Sequence, residues 1–210
     1  MNPTTEPIIV MVPGLADDHD DHWQTRLATE VNATRTVPNP PVPAHLNRHA
    51  WVTALDSAVR ELPHPVVLVA HGAGVLTTVH WARHATGNVL AALLVTPPDV
   101  EIPLPTGYPT TDQLTHHGWN PIPRRRLPFP SILATSTNDV LASRRRVAGM
   151  AETWGSRLVD LGPVGHLDPR AGYRMWPYAR TLLDELMQSL HRTNPASTTR
   201  DPHPARVKNS

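Results

Sequence analysis

The sequence predicts an α/β fold, a three-layer α/β/α sandwich with a mostly parallel central sheet, and three observations carry that reading. Short continuous apolar runs recur at Ile8–Val12, Val66–Ala70, Leu90–Val95 and, more weakly, Ser131–Ala134. Runs of this length, each ended by Gly, Pro or a polar residue, suit strands covered on both faces. Between them lie segments with apolar residues at mixed three and four spacing: Trp23–Val31, Trp51–Leu62, Gly74–His84, Arg144–Trp154 and, most clearly, Tyr178–Leu190. Strand followed by helix, repeated, builds a parallel sheet through right-handed crossovers.

The 210 residues suit one domain better than two. Residues 1–190 read as that domain. From about His191 the chain turns to Ser, Thr, Pro and Arg, the composition of a disordered tail. The 24 prolines fall between apolar runs and mark loops. Pro38–Arg48 reads as a surface loop, and Glu101–Pro130 as a long polar excursion placed to act as a lid.

Composition removes several functions. A net charge of +1 with both signs mixed gives no basic face for nucleic acid or membrane. With no cysteine, there is no disulfide, thiolate zinc site or Cys nucleophile. The single lysine, Lys208, lies in the tail, which rules out a Schiff base or Ser-Lys pair in the core. The N-terminus has no basic leader, and Ile8–Val12 is too short for a signal or a membrane span, so a cytoplasmic location is expected.

In parallel sheets, sites form at the carboxyl ends of strands, which directs attention to the loops after Val12, Ala70, Val95 and Ala134. Val66–Val75 is a strand running into His71-Gly72-Ala73-Gly74 and then a helix. That is the layout of a nucleophile elbow, usually G-x-S-x-G, where small neighbours are needed because the turn is tight. Its centre here is Gly72, which has no side chain with which to attack. A glycine-rich strand-to-helix turn can also cradle a phosphate, but neither G-x-G-x-x-G nor a Walker sequence is present. Asp139 follows the Ser131–Ala134 strand and His166 follows Leu158–Leu161, so acid and then base come in the order of α/β-hydrolases.

Beyond these motifs, the chain resembles the small YdeN-like serine hydrolases, relatives of a retinoblastoma-binding protein. The similar blocks are His22–Leu27, Val69–His71, His80–Ala82, Pro97–Glu101, Leu127–Ser131, Trp154-Gly155, Gly165-His166 and Trp176-Pro177. The resemblance implies an α/β-hydrolase fold and a Ser-His-Asp hydrolase of small esters or similar acyl compounds, with the serine directly after the elbow histidine. The family reads approximately A-H-S-L-G-C there, against Ala70-His71-Gly72-Ala73-Gly74-Val75 in this chain. Three positions differ, which points to natural divergence rather than a single inactivating substitution.

Loss of the hydroxyl forbids a serine acyl-enzyme but leaves the rest of the machinery. His166 as base, Asp139 as its orienter, and an oxyanion hole from the N–H groups of Ala73 and the Gly14-Leu15 turn can still abstract a proton and stabilise the anion. A lyase, cyclase, isomerase, cofactor-independent oxygenase or direct attack by water would fit, each on a small molecule and without a cofactor. Two other readings stay open: a non-catalytic ligand- or protein-binding module, and an esterase using a substitute hydroxyl, Thr96 or Ser136.

The remaining residues carry weaker signals. The cluster Asp17-Asp18-His19-Asp20-Asp21-His22 holds metal-ligand types, yet adjacent residues converge on one ion only when the loop wraps around it, and no metal site is expected. His22 suits a helix cap or pocket wall. His71 suits a hydrogen-bonded structural role or a substrate contact; Gly14 and Trp176 are further candidates for the substrate pocket. Trp119 belongs to the lid, His80-Trp81 to the core, and Arg124-Arg125-Arg126 to a solvated loop or an anion contact.

Overall fold

The computed structural model describes residues 6–15, 21–31, 34–84, 88–173 and 175–193. Its elements in chain order are β1 (Ile8–Val12), α1 (Trp23–Glu30), β2 (Thr34–Thr36), α2 (Arg48–Arg60), β3 (Val66–His71), α3 (Ala73–Trp81), β4 (Val89–Val95), α4 (Thr111–His116), β5 (Ser131–Thr135), α5 (Arg144–Trp154), β6 (Arg157–Asp160) and α6 (Tyr178–Thr193). All six strands are parallel in the order β2-β1-β3-β4-β5-β6. The order reverses at β1, so the crevice between the carboxyl ends of β1 and β3 is the place where an open sheet of this kind binds ligands.

Alternation along the strands sends side chains to two separate cores. Val10, Val12, Leu68, Ala70, Leu94 and Leu133 pack with residues of α2, α3 and α5. Ile9, Met11, Val67, Val69, Leu93 and Ile132 pack with Trp23 and Leu27 of α1 and with Ala179, Leu182, Leu183 and Leu186 of α6. Covering on both faces is why the central strands are continuously apolar. The edge strands differ: β2 is Thr-Arg-Thr and β6 is Arg-Leu-Val-Asp, the latter exposed or half-buried at every position. α6 continues through Thr193, three residues past the end expected for the domain, and the remainder of the expected tail lies outside the described residues. No described helix is long and apolar enough to cross a membrane.

Residues 101–130 form part of the core as well as a cover. Leu114, Trp119, Ile122, Leu127 and Phe129 are buried in the α2–α3–α5 layer. The six-residue α4 inside this stretch begins with a capping box, in which Thr110 Oγ1 accepts from Gln113 N and Gln113 Oε1 accepts from Thr110 N. At one end, Glu101 pairs with Arg124 at 2.8 Å and with Arg146, and accepts from Ile122 N at 2.9 Å; Arg146 also pairs with buried Asp99 at 3.0 Å. At the other end, Trp119 Nε1 donates to Leu46 O at 2.7 Å, and its carbonyl accepts from His80 Nε2 at 3.1 Å. The expected surface loop Pro38–Arg48 likewise contains a turn of 3-10 helix at Ala44–Leu46.

His80 is 4% exposed, and burial pushes its pKa down to about 4. Its Nε2–H is used on the Trp119 carbonyl, and Nδ1 faces Arg48 Nη1 at 3.5 Å, so a second proton would place a cation beside a guanidinium. The unfolded chain takes up this proton near pH 6.5, whereas the folded chain refuses it until about pH 4. Stability is therefore complete above about pH 6.5 and falls as pH drops toward 4, by up to about 3 kcal/mol from this group. Urea denaturation of the native chain and of His80→Gln between neutral pH and pH 4.5 measures it: the pH-dependent loss is smaller in the variant by about that amount.

A close backbone approach occurs where α3 begins. A Cβ on Gly74 would lie far inside van der Waals contact distance of the Val12 carbonyl oxygen and 2.7 Å from Pro13 O, both backbone atoms. Gly74→Ala should accordingly cost at least about 3 kcal/mol, at or beyond the upper end of ordinary overpacking. Chemical denaturation of the variant reads this loss, or its failure to accumulate as folded protein.

Candidate active site

The turn between β3 and α3 is set by backbone conformation. Gly72 has φ 53° and ψ −124°, outside the regions that L-residues ordinarily occupy. Its N–H is still bound to Val95 O at 3.0 Å, so the reversal begins directly at the end of the sheet. Ala73 follows as the first residue of α3, where an N–H has no partner within its own helix. Gly14 and Leu15, just after β1, lie across the crevice. Gly72, Ala73, Gly14 and Leu15 all line one cavity of about 650 Å³.

Asp139 and His166 come together from separate loops, after β5 and after β6. His166 Nδ1 lies 2.9 Å from Asp139 Oδ2, with the carboxylate side chain 2% and the imidazole 11% exposed. The second carboxylate oxygen accepts from Leu141 N at 2.9 Å. Since a carboxylate only accepts, Nδ1 carries the proton and Nε2 keeps its lone pair. His166 lines the same cavity as Gly72.

The loop carrying His166 is held from several sides. Its carbonyl accepts from His71 Nε2 at 2.8 Å and from Thr96 Oγ1 at 3.2 Å. Thr96 (φ 44°) and Leu167 (φ 56°) are the two non-glycine residues with positive φ among those described, and both adjoin this anchor. For a β-branched residue such a φ is a true outlier. On the near side, Asn138 Oδ1 accepts from Gly165 N at 2.6 Å, and Ser136 Oγ accepts from Val164 N at 3.2 Å.

The structure distributes the other expected site residues as follows. His71 is fully buried and does not line the cavity; it stacks at 4.8 Å from His22 and 5.0 Å from His166. Trp176, expected as a pocket residue, is not on the cavity lining. It packs edge-on against Trp23 at 5.0 Å in the α1–α6 layer, because α6 leads it to the other face of the sheet. His22 caps α1, accepting from Gln24 N. Arg124 is taken up by Glu101. Thr96 and Ser136, the substitute hydroxyls, are absent from the lining, and its only hydroxyl among the described residues belongs to Tyr108. Residues 17–20 of the acidic cluster lie outside the described residues.

Several lining residues had no reading from sequence: His45, Gln113, Leu141, Asp168 and Arg170. One signal for the last two was available. Asp168-Pro169 is a cap residue followed by proline, and Asp168 Oδ1 indeed accepts from Ala171 N at 2.8 Å to close a 3-10 turn at Pro169–Ala171.

A family model described as serine hydrolase matches residues 9–185. Among solved structures, a YdeN-like hydrolase from Pectobacterium atrosepticum is 26% identical, covering 88% of this chain and 92% of that chain with a TM-score of 0.75. The ydeN gene product of B. subtilis is 16% identical over 87% of this chain and 100% of that one, with a TM-score of 0.65. Est1E from Butyrivibrio proteoclasticus, solved with ferulic acid, is 12% identical over 91% and 90% with a TM-score of 0.64. These last two similarities concern the fold alone. No curated protein matches the sequence. The fold is that of the α/β-hydrolases, and the chain belongs to the serine hydrolase family.

Proposed function

We propose that this chain is a hydrolase-fold enzyme that works by general-base chemistry on a small organic substrate, without a serine nucleophile. The supporting observation is the 2.9 Å contact between His166 Nδ1 and Asp139 Oδ2 beside an open cavity whose lining includes Gly72. In this reading Gly72 occupies the place of the family's serine. The lone pair on His166 Nε2 takes a proton from a substrate C–H or O–H, or from a water standing where the serine hydroxyl would be. Asp139 stabilises the imidazolium without taking the proton itself.

The anion formed on the substrate is met by the N–H groups of Ala73 and Leu15, fixed by the start of α3 and the turn after β1. His71 and Thr96 hold the His166 backbone and act as positioning residues. An acyl-enzyme through Thr96 or Ser136 is disfavoured by their bonds. Thr96 Oγ1 donates to His166 O and Ser136 Oγ to Asn138 Oδ1, so neither hydroxyl is directed at a substrate. Positive φ at Thr96 and Leu167 beside the base, which costs about 1–3 kcal/mol per residue, fits a site whose geometry is held for function.

A fluorophosphonate probe and p-nitrophenyl esters test the assignment without knowledge of the substrate. The native chain should neither label nor hydrolyse the esters above a weak background. Gly72→Ser should label and gain esterase activity, and adding His166→Ala should remove both gains. The serine would adopt the strained elbow conformation, so Gly72→Ser should also lower stability by about 1–3 kcal/mol in urea denaturation. A folded Gly72→Ser that stays inert to the probe would sink the reading, as would strong labelling of the native chain.

A further inference from the structure

The cavity has an apolar chamber and a polar rim. Leu76, Leu114 and Trp119 are almost fully buried at its walls, whereas His45, Gln113 and Arg170 are exposed. Arg170 is the one arginine or lysine on the lining, and among the described residues it makes no ion pair. Arg26 pairs with Asp21, Arg144 with Asp160, Arg157 with Glu185 and Arg180 with Asp184, whereas exposed Arg125, Arg126 and Arg145, which lie off the cavity, share with Arg170 the lack of an ion pair among the described residues. Among the described residues the one carboxylate on the lining is that of Asp168, which accepts from the N–H of Ala171 at 2.8 Å. Gln113 Oε1 accepts from Thr110 N, and its NH₂ group remains to donate to a ligand. The rim therefore offers donors and, in Arg170, a permanent cation that forms no ion pair with any described carboxylate.

We propose that the cavity takes an amphipathic monoanion, with a carbon-rich body in the apolar chamber and a carboxylate held by Arg170 at the rim. This rests on the reading of the same cavity as the substrate site. A guanidinium presents parallel N–H groups that match the two oxygens of a carboxylate. The turn that carries Arg170 is fixed by Asp168, which accepts at its side chain from Ala171 N and at its carbonyl from Tyr173 N at 3.1 Å. Arg170 lies four residues after His166, so the anion would be held close to the reacting group and would fix which substrate atom meets the base. Affinity comes chiefly from the apolar body, because an ion pair at an exposed rim contributes only about 0–1 kcal/mol. Arg170 thus selects among apolar ligands rather than binding anions by itself.

Isothermal titration calorimetry with 4-phenylbutanoate and its uncharged counterpart 4-phenylbutanamide tests this directly. At low salt the acid should bind about fivefold tighter than the amide, the ratio that corresponds to about 1 kcal/mol. Added salt should shrink the preference. Arg170→Gln should bring the two affinities together by weakening the acid and leaving the amide unchanged. His166→Ala should keep the preference, so that failure of the base chemistry and failure of anion selection are separate results. Equal binding of acid and amide by the native chain, binding of neither, or a preference that survives Arg170→Gln overturns the proposal. Loss of the preference in His166→Ala but not in Arg170→Gln overturns it too, because the anion would then be read by the imidazole.

Discussion

The arrangement of the site depends on one backbone contact, the seating of the first turn of α3 against the carbonyls of Val12 and Pro13. That approach is possible only because Gly74 has no Cβ. It brings the N-terminus of a helix up to the end of β1 and so places Ala73 and Leu15 on either side of one crevice. From the α1 layer, Gln24 Nε2 donates to Val12 O at 3.3 Å and to Val69 O at 2.9 Å, joining the ends of the two strands that meet there. Shifting α3 by even a methyl group would therefore disturb the floor of the cavity before it disturbed the sheet.

Backbone strain is distributed unevenly around this crevice. At the elbow, φ 53° and ψ −124° fall on a glycine, which tolerates them with no side-chain penalty. A serine in the same place would bear the cost in exchange for an exposed hydroxyl. Around His166 the strain falls on Thr96 and Leu167, residues that do bear it. In the reading proposed here, divergence has released strain where the nucleophile stood and kept it where the base is held. Strain that persists in this way tends to sit where function over-determines the backbone.

Legibility in the sequence followed burial. β1, β3, β4 and β5 are covered on both faces and announced themselves as continuous apolar runs, while β2 and β6 sit at the edges, where polar residues are tolerated and no run forms. α4 has six residues, too few for a helical period to show, and was absorbed into a loop. Asp139 and His166 were legible because chain order and strand ends constrain where an acid and a base can lie. Their supports were legible only in part: His71 reads as a hydrogen-bonded structural histidine, but that it and Thr96 meet at the His166 carbonyl, across 95 and 70 residues of chain, leaves no mark in the sequence. Trp176 shows the same limit in reverse. Proximity to His166 in sequence suggested the pocket, but the entry into α6 carries it over the sheet edge to Trp23.

The cover over the site is preorganised by contacts that would be costly to break. Asp99, Glu101, Arg124 and Arg146 join one end of the excursion to α5, and the carboxylate of Asp99 is only 6% exposed. Opening a hinge there would leave a buried carboxylate without its cation, a change that costs about 3–5 kcal/mol where such pairs are broken. His80 and Leu46 hold the Trp119 end to α3 and to the turn before α2. With both ends fixed, the exposed rim of His45, Gln113 and Arg170 opens the cavity to solvent without displacement of the cover. In the reading proposed above, the groups at the exposed rim would select what enters, and the apolar walls of Leu76, Leu114 and Trp119 would give the His166 imidazole a fixed surrounding of low polarity.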